Sequence, residues 1–450
     1  MEFNDLLKNI SPEKLKELSA AIEAKEQAKV AFKDVEPKSG RPLQTLDSYQ
    51  ALFNHYAVSI RYNEMSKETE IIVPGYPTGG DLYNNAVIAK LEDLCYQNGL
   101  VPTQLEKYIA IVADDNKYHP VKTWLDAIVW DGKDRMRDYY NSITLDGENP
   151  MKEVMLRKWA LSLVAALYHP NFSCEGVLTF SGKQGQGKTI WVEELIPQEY
   201  HNVWNKDAVT LDVNNKDSLF KALSYWITEL GELDSTFKKS DIEALKGFIT
   251  EKVDMIRSPY DRKANKYPRR TVFYATVNDD EFLQDTQNRR FWVLAIQEFN
   301  LGKIEVGQFW AQIKHEYMLV RDKIKTGAMR KKNNEYGWFM SPSEREMMAP
   351  LQESFKSVDP IEEKIQVTIK SLAETGHNRE WSNATEILER CGYMRPSKRD
   401  CHAAGKALKK MGFIPNSQKK YAVEFYSNGT WSLANTDNIS VKLVDKLKKL

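Results

Sequence analysis

The chain has 450 residues, more than one small hydrophobic core accommodates, so we expect two or three domains. Hydrophobic residues make up 42% and charged residues 28% of the sequence, as is ordinary for soluble globular proteins. Lys plus Arg and Asp plus Glu number 63 each, so the formal net charge is +0 and a nucleic-acid surface would need segregated basic residues.

The cysteines and the apolar runs narrow the class of protein. Cys95, Cys174, Cys391 and Cys401 form no CxxC pair and have no histidines at zinc-finger spacing, which argues against a structural zinc site or a disulfide framework. The sequence begins without a signal-peptide pattern, and no apolar run is long enough to span a bilayer. We therefore expect a cytoplasmic protein that does not bind a membrane.

The N-terminal third predicts two segments. Residues 1–42 read as a charged helix, Ser11 to Phe32, followed by a linker. Residues 43–148 mix short strands with helices, one of them over Tyr83 to Gln97, which predicts a small α+β domain. His119 and Asp131 are interpreted as turn and cap residues rather than ligands. Tight carboxylate pairs such as Asp114 and Asp115 are few there, so we do not expect primase activity from this chain.

The rest of the chain predicts an α/β domain and a second basic domain. Residues 149–345 open with a long apolar helix, Met151 to Leu167, and then alternate apolar strands with helices, the pattern of a parallel sheet. Residues 355–450 combine helices with two short β runs, Tyr421 to Phe425 and Thr430 to Leu433, around Ser427-Asn428-Gly429, which is a hairpin signal.

A phosphate-binding loop follows the strand Val177 to Phe180 and opens a helix at Ile190. It matches G-x-x-x-x-G-K-[ST], and its backbone N–H groups can turn toward phosphates. We expect Lys188 to reach the β- and γ-phosphates and Thr189 to bind Mg²⁺. The nucleotide-binding residues are Gly182, Gln184, Gly185, Gln186, Gly187, Lys188 and Thr189.

Such a loop does not name a reaction, because kinases, GTPases and motors share it. A second buried strand ends in Glu229, and an acid there can hold Mg²⁺ directly or through water. Glu232 can orient the attacking water or can simply open the next helix. A third strand ends in Asn278, which can hydrogen-bond the γ-phosphate or the water. Arg289 and Arg290 follow; one of them suits an arginine finger offered to a neighbouring subunit, and the alternative is surface ion pairing.

These residues, in this order, resemble the virulence-associated protein E family, a branch of superfamily 3 helicases with an AAA+ ATPase core. The resemblance runs from about Thr45 to Ile296 and is strongest at GKQGQGKT, ITELGELD, RSPYDRK, YATVNDDEFLQD and NRRFW. It implies a P-loop AAA+ parallel-sheet core that hydrolyses ATP in a ring, usually a hexamer, with the ATP sites between subunits. Members of the family occur in phages, prophages and phage-inducible islands, where they resemble replication initiators; a primase or host replication proteins are further candidate partners. One departure concerns the acids: Leu230 and Gly231 separate Glu229 from Glu232, whereas many AAA+ proteins place two acids side by side.

Two basic regions predict where DNA binds. The resemblance implies a pore hairpin that grips DNA phosphates around Arg262, Lys263 and Lys266, although a solvated basic loop gives the same pattern. The C-terminal domain resembles a winged helix with Cys401 to Met411 as its recognition helix, or it packs on a protein partner. Its candidate DNA contacts are Lys398, Arg399, Lys406, Lys409, Lys410, Lys419 and Lys420.

The leading hypothesis is an ATP-dependent helicase that translocates on single-stranded DNA and recognises duplex DNA with its C-terminal domain. One alternative is a P-loop NTPase in host-virulence or anti-phage signalling that does not unwind DNA. The other is a DNA-binding regulator whose nucleotide site sets only its oligomeric state.

Overall fold

The computed structural model describes residues 29–76, 82–231, 239–256, 265–278, 289–326, 337–353, 360–374, 380–413, 421–425 and 431–433, with residues 355 and 415. The chain divides into two compact units: the first consists of Met1–Asp279 and Arg289–Gln352, and the second of Asp280–Asn288 and Glu353–Leu450. Within the described ranges, no helix is long and apolar enough to cross a membrane.

The N-terminal three-stranded domain (residues 29–118) packs three helices against a small sheet. The strands are β1 (Ser59–Asn63), β2 (Glu68–Ile72) and β3 (Lys117–Tyr118), and the helices are α1 (Leu46–His55), α2 (Tyr83–Gln97) and α3 (Leu105–Asp115). Strand β1 is central; it pairs antiparallel with β2 and parallel with β3. Tyr49, Leu52 and Leu91 lie at the centre of the core. The helix predicted to reach Phe32 is wrong at its end: residues 29–32 are not helical, because Val30 is buried in this core.

A six-stranded sheet forms the centre of the first unit. Its strands are β4 (Ile143–Leu145), β5 (Val177–Ser181), β6 (Asn205–Val209), β7 (Ile227–Leu230), β10 (Val272–Val277) and β11 (Phe291–Phe299). The order across the sheet is β4-β11-β5-β10-β7-β6. All neighbours pair in parallel except β4, an edge strand that runs antiparallel to β11. Strand β4 thus belongs to this sheet although it lies in the segment we assign to the N-terminal domain.

Helices surround the sheet, and a separate hairpin extends from it. The helices are α4 (Pro120–Asp126), α5 (Met136–Asn141), α6 (Lys152–Tyr168), α7 (Lys188–Glu193), α8 (His201–Trp204), α9 (Lys216–Leu223), α10 (Lys239–Thr250), α11 (Val306–Lys325) and α12 (Pro342–Glu353). Strands β8 (Val253–Ile256) and β9 (Asn265–Pro268) pair antiparallel as a two-stranded sheet of their own.

Buried tryptophans fix the helices to the sheet. Trp159 of α6 donates its indole N–H to the carbonyl oxygen of Phe273 at 3.0 Å, and Trp226 donates to that of Leu163 at 3.0 Å. Both rings are fully buried, so each contributes apolar packing without leaving a polar atom unpaired. This packing explains why the apolar run predicted over Met151 to Leu167 is a central helix.

The second unit has the order helix, strand, helix, helix, strand, strand. These are α13 (Pro360–Glu374), β12 (Glu380–Ser382), α14 (Ala384–Arg390), α15 (Lys398–Lys410), β13 (Tyr421–Phe425) and β14 (Trp431–Leu433). Strand β13 pairs antiparallel with both other strands. Ile365, Leu388 and Leu408 join the three helices in one apolar core.

Candidate nucleotide site and basic surfaces

The predicted phosphate loop connects β5 with α7, and its glycines are sterically required. Gly185 and Gly187 have φ angles of 83° and 85°, in the left-handed region that side chains disfavour. A Cβ on Gly182 would lie 2.3 Å from Oε1 of Gln186 and 3.1 Å from the carbonyl oxygen of Ile296. Glycine is therefore the residue that follows this path with the least strain at these positions.

Lys188 brings the loop together with the end of β10. The side chain is buried, and its ammonium donates to the carbonyl oxygens of Gly182, Lys183 (3.2 Å) and Val277 (3.1 Å). It also contacts Oδ1 of Asn278 at 3.2 Å. Two residues 90 positions apart thus meet at the carboxyl edge of the sheet. Sequence reasoning predicted both as site residues.

Gln186 attaches the loop to the neighbouring strand β11. Its Nε2 donates to the carbonyl oxygens of Ile296 and Gln297, both at 3.2 Å. Its Oε1 is buried and has no hydrogen-bond partner among the described residues. Gln184 is exposed and Thr189 is half-buried at the start of α7. Gln186 therefore acts as a positioning residue, a role its place in the motif did not reveal.

Glu229 lies inside β7 rather than at an exposed strand tip, as the sequence suggested. It is level with Tyr274, three residues before Val277 on β10. The carboxylate is 4% exposed and accepts hydrogen bonds from Thr276 Oγ1 (2.6 Å), Ala208 N (3.2 Å) and Tyr274 Oη (3.3 Å). Burial, and next the nearby Glu229 carboxylate, raise the pKa of Tyr274 well above its usual range. Glu229 is thus a buried acid that accepts three hydrogen bonds, and β10 separates its strand from the strand that precedes the phosphate loop.

The described part of the chain does not include every predicted site residue. Glu232, Arg262 and Lys263 lie outside the described residues. Among the residues that are described, no three His, Cys, Asp or Glu side chains cluster as a metal site.

Arg289 and Arg290 lie at the opposite edge of the sheet from the phosphate loop. Arg290 accepts a hydrogen bond at its carbonyl oxygen from Val177 N (2.7 Å), at the start of β5, whereas the loop begins after Ser181 at the end of that strand. Five residues of strand span about 16 Å. Arg289 is exposed; burial, and next the adjacent Arg289, lower the pKa of Arg290. Neither guanidinium can reach the phosphate loop of its own subunit.

The basic stretch before β10 separates into structural and exposed residues. Arg269 is fully buried and binds Asp254 through two hydrogen bonds of 2.8 and 2.7 Å. Arg270 pairs with Glu64 of the N-terminal three-stranded domain at 2.7 Å. Lys266, on β9, is exposed. Lys266 is therefore the described cation of this stretch that solvent and ligands can reach.

Helix α15 presents a basic face. Ser397 and Asp400 form a capping box at its start, so it begins three residues before the predicted recognition helix. Ala404 and Leu408 pack into the core. Residues 399, 402, 406 and 409, at spacings of three and four, lie on the other side. The exposed residues include Lys398, Arg399, His402, Lys406 and Lys409, whereas the Lys410 side chain, Lys419 and Lys420 lie outside the described part of the chain.

His119 and Asp131 have the local structural roles predicted for them, at a helix cap and in a turn. His119 is the N-cap of α4, and its Nδ1 accepts from Lys122 N at 3.4 Å. Burial, and next the cations Arg270, Lys67 and Lys122, lower the pKa of His119 well below its usual range. Asp131 accepts two hydrogen bonds from Arg135, at 2.6 and 2.8 Å. Sequence reasoning missed Lys67, a buried lysine in the turn after β1, because nothing in its local sequence distinguishes it from a surface lysine.

The family model for the virulence-associated protein E-like domain matches residues 125–357. The chain belongs to this family. The match covers the six-stranded sheet with the phosphate loop, Glu229, Asn278 and both arginines; the N-terminal three-stranded domain and most of the second unit lie outside it.

Solved structures and curated proteins add little to the family match. The A-form apo structure of the NrS-1 C-terminal region is similar over 85% of this chain and 99% of that chain, with 10% identity and a TM-score of 0.42. A second apo structure of that region covers 83% of this chain and 87% of that chain, with 14% identity and a TM-score of 0.40. No curated protein matches the sequence.

Proposed function

We propose that the chain is an ATP-hydrolysing motor of the AAA+ superfamily 3 type that moves on single-stranded DNA as a ring, in the replication of a phage or phage-related element. The observation that carries this proposal is the meeting of Lys188 and Asn278 at the carboxyl edge of a parallel sheet, with the arginine pair at the opposite edge. We infer from this arrangement that the arginine pair serves the site of a second subunit, as a ring would supply.

The phosphate loop fits a nucleoside triphosphate with Mg²⁺. The positive φ angles at Gly185 and Gly187 direct the chain around a phosphate-sized loop, and Lys188 is the cation for the β- and γ-phosphates. The Thr189 hydroxyl would bind the ion, whose chemistry is to neutralise charge on the transferred phosphoryl oxygens. Because three donors already hold Glu229, this acid acts on the ion through water rather than directly.

Hydrolysis requires a positioned water and a cation at the γ-phosphate. The Asn278 amide, held against Lys188, is placed to orient either the water or the phosphate. One of Arg289 and Arg290 supplies the further positive charge to the site of the adjacent subunit, since about 16 Å of strand separates the pair from its own loop.

The DNA contacts divide between the two basic regions. We assign single-stranded DNA to the exposed Lys266 on the β8–β9 hairpin, together with Arg262 and Lys263. We assign duplex DNA to the basic face of α15, in a winged-helix domain in which this helix enters the major groove.

Mixing inactive variants tests the shared site. Lys188→Ala should abolish ATP turnover, and Arg290→Ala or Arg289→Ala should lower it strongly. A mixture of the lysine and arginine variants should recover part of the turnover, because some interfaces then join an intact loop to an intact arginine. Absence of recovery in mixed rings, with co-assembly verified by mass, would refute action between subunits.

Forked DNA distinguishes the motor from the two alternatives. Strand displacement that requires Lys188 supports a helicase. ATP turnover without displacement would instead favour a signalling NTPase. DNA binding with nucleotide-dependent assembly but no turnover would favour a regulator.

A further inference from the structure

The β8–β9 hairpin is fixed at its base from within the first unit. Asp254 on β8 and Arg269 just after β9 form a buried bidentate ion pair. The guanidinium also lies over the rings of Phe248 (4.4 Å) and Phe273 (5.5 Å). Phe273 belongs to β10, the strand directly before Asn278. This ion pair therefore joins the base of the hairpin to that strand.

The turn between β1 and β2 of the N-terminal three-stranded domain is built to hold its side chains in place. Oδ1 of Asn63 accepts from the N–H groups of Met65 (2.9 Å) and Ser66 (3.2 Å). Lys67 adopts a left-handed backbone conformation with φ of 63°, and its N–H donates to the carbonyl oxygen of Asn63 at 2.8 Å. This rigid turn (residues 63–67) directs Glu64 and Lys67 at the six-stranded core.

Glu64 and Lys67 both contact the β8–β9 hairpin or the residues next to its base. Glu64 forms the 2.7 Å ion pair with Arg270, which follows Arg269 directly, and both partners are half-buried. Lys67 is buried and donates to the carbonyl oxygens of Met65 (3.0 Å) and Leu223, while its ammonium lies 5.8 Å from the ring centre of Tyr267 on β9.

The carbonyl oxygen of Leu223 connects this contact to the sheet. Besides Lys67, it accepts from the hydroxyl of Thr271 at 3.2 Å, immediately before β10. Leu223 ends α9, which leads into β7 with Glu229. The turn therefore reaches the hairpin and the amino ends of the two strands that carry Glu229 and Asn278.

We propose that the N-terminal three-stranded domain braces the β8–β9 hairpin, with Glu64 and Lys67 as positioning residues that fix the hairpin relative to the ATPase sheet. The brace rests on the proposed function in one respect, that the hairpin binds single-stranded DNA. With the brace intact, a movement of the sheet moves the hairpin and its DNA. Without the brace, the hairpin moves independently of the sheet, and ATP hydrolysis no longer drives the movement of DNA.

Amide hydrogen exchange on the full-length protein tests the brace directly. Glu64→Gln and Arg270→Gln should each speed exchange across residues 253–256 and 265–268, while exchange in β5 and α6 stays at the wild-type rate. The double variant Glu64→Arg with Arg270→Glu should restore protection, because it rebuilds the pair with reversed charges. Glu316→Gln is the matched control, since it removes an ion pair with Arg157 (2.8 Å) that joins α6 to α11.

Coupling is the second measurement. The single variants should keep their DNA-free ATP turnover, whereas strand displacement per ATP should fall roughly threefold or more and recover in the reversed pair. Unchanged hairpin exchange in both single variants overturns the brace, as does failure of the reversed pair to restore it in folded protein. Faster hairpin exchange together with wild-type DNA binding by Lys266→Glu supports the brace and refutes instead the DNA role assigned to the hairpin.

Discussion

Asp254→Asn should lower the urea concentration at which the six-stranded core unfolds, because it leaves a buried guanidinium without its counter-ion. Arg269 has no exposed side-chain surface, and Asp254 supplies two of its hydrogen bonds, at 2.7 and 2.8 Å. Removing one partner of such a pair costs about 3–5 kcal/mol. The bond of Arg269 to the carbonyl oxygen of Phe248 (2.9 Å) survives, so we expect a loss near the lower limit, about 3 kcal/mol.

Two companion variants isolate the cause of that loss. Lys266 is exposed and lies three residues before Arg269. Lys266→Gln should therefore change the unfolding free energy by no more than about 0.5 kcal/mol. The double variant Asp254→Leu with Arg269→Met removes both charges and should recover most of the stability, since paired apolar replacements of buried ions are often neutral.

Urea unfolding followed by tryptophan fluorescence measures these differences in the core, because every tryptophan except Trp381 and Trp431 lies in residues 124–338. Single-stranded DNA binding across a salt series completes the assay. Lys266→Gln should weaken binding and flatten its salt dependence, as expected for loss of a phosphate contact. A loss below about 1 kcal/mol for Asp254→Asn, or an equal loss for Lys266→Gln, would refute the division into structural and DNA-binding cations.

Three further predictions concern other parts of the chain. Burial lowers the pKa of Lys67 from 10.5 to about 7, with Asp254 opposing and Arg269 and Arg270 adding to the shift. Between these two pKa values the unfolded chain therefore binds more protons than the folded chain. The unfolding free energy should rise with pH there by up to about 1.4 kcal/mol per pH unit, compared with the Lys67→Met variant. Parallel pH profiles of the two proteins would contradict this. Glu229→Gln should lower both ATP turnover and stability, because three donors bind that buried carboxylate, and turnover loss at wild-type stability would argue for direct catalysis instead. A chain ending at Glu353 should keep ATP turnover and lose duplex preference; unchanged preference would refute the role of α15.

Local patterns predicted the elements whose signal is contained in a few neighbouring residues. The spans Tyr83–Gln97 and Tyr421–Phe425 agree with the structure residue for residue. The phosphate loop was also predictable, because glycine spacing, a preceding apolar strand and a following helix occur within about twenty residues. The approach of Asn278 to Lys188 followed from the rule that parallel strands end at the same edge of a sheet.

The burial of individual charges could not be predicted, because it depends on partners distant in sequence. The stretch before β10 gives no sign that Arg269 faces Asp254, since that contact depends on the register of β8 against β9. The strand predicted to end at Glu229 is shifted along the chain for a similar reason. An apolar run does not show where pairing with the neighbours begins, and pairing starts only at Ile227.

The two ends of β11 explain how a site shared between subunits could respond to the nucleotide in each of them. At its amino end, β11 follows Arg289 and Arg290, which we assign to the neighbour's site; near its carboxyl end, the carbonyl oxygens of Ile296 and Gln297 hold Gln186 of the chain's own phosphate loop. Strand β11 is paired along its length, with β5 over Phe291 to Ala295 and with β4 from Ile296 to Phe299. A shift of the phosphate loop that pulls on Gln186 would therefore act on the same strand that follows the arginines. If the proposed ring forms, the nucleotide bound by one subunit would then influence the arginine that the next subunit receives.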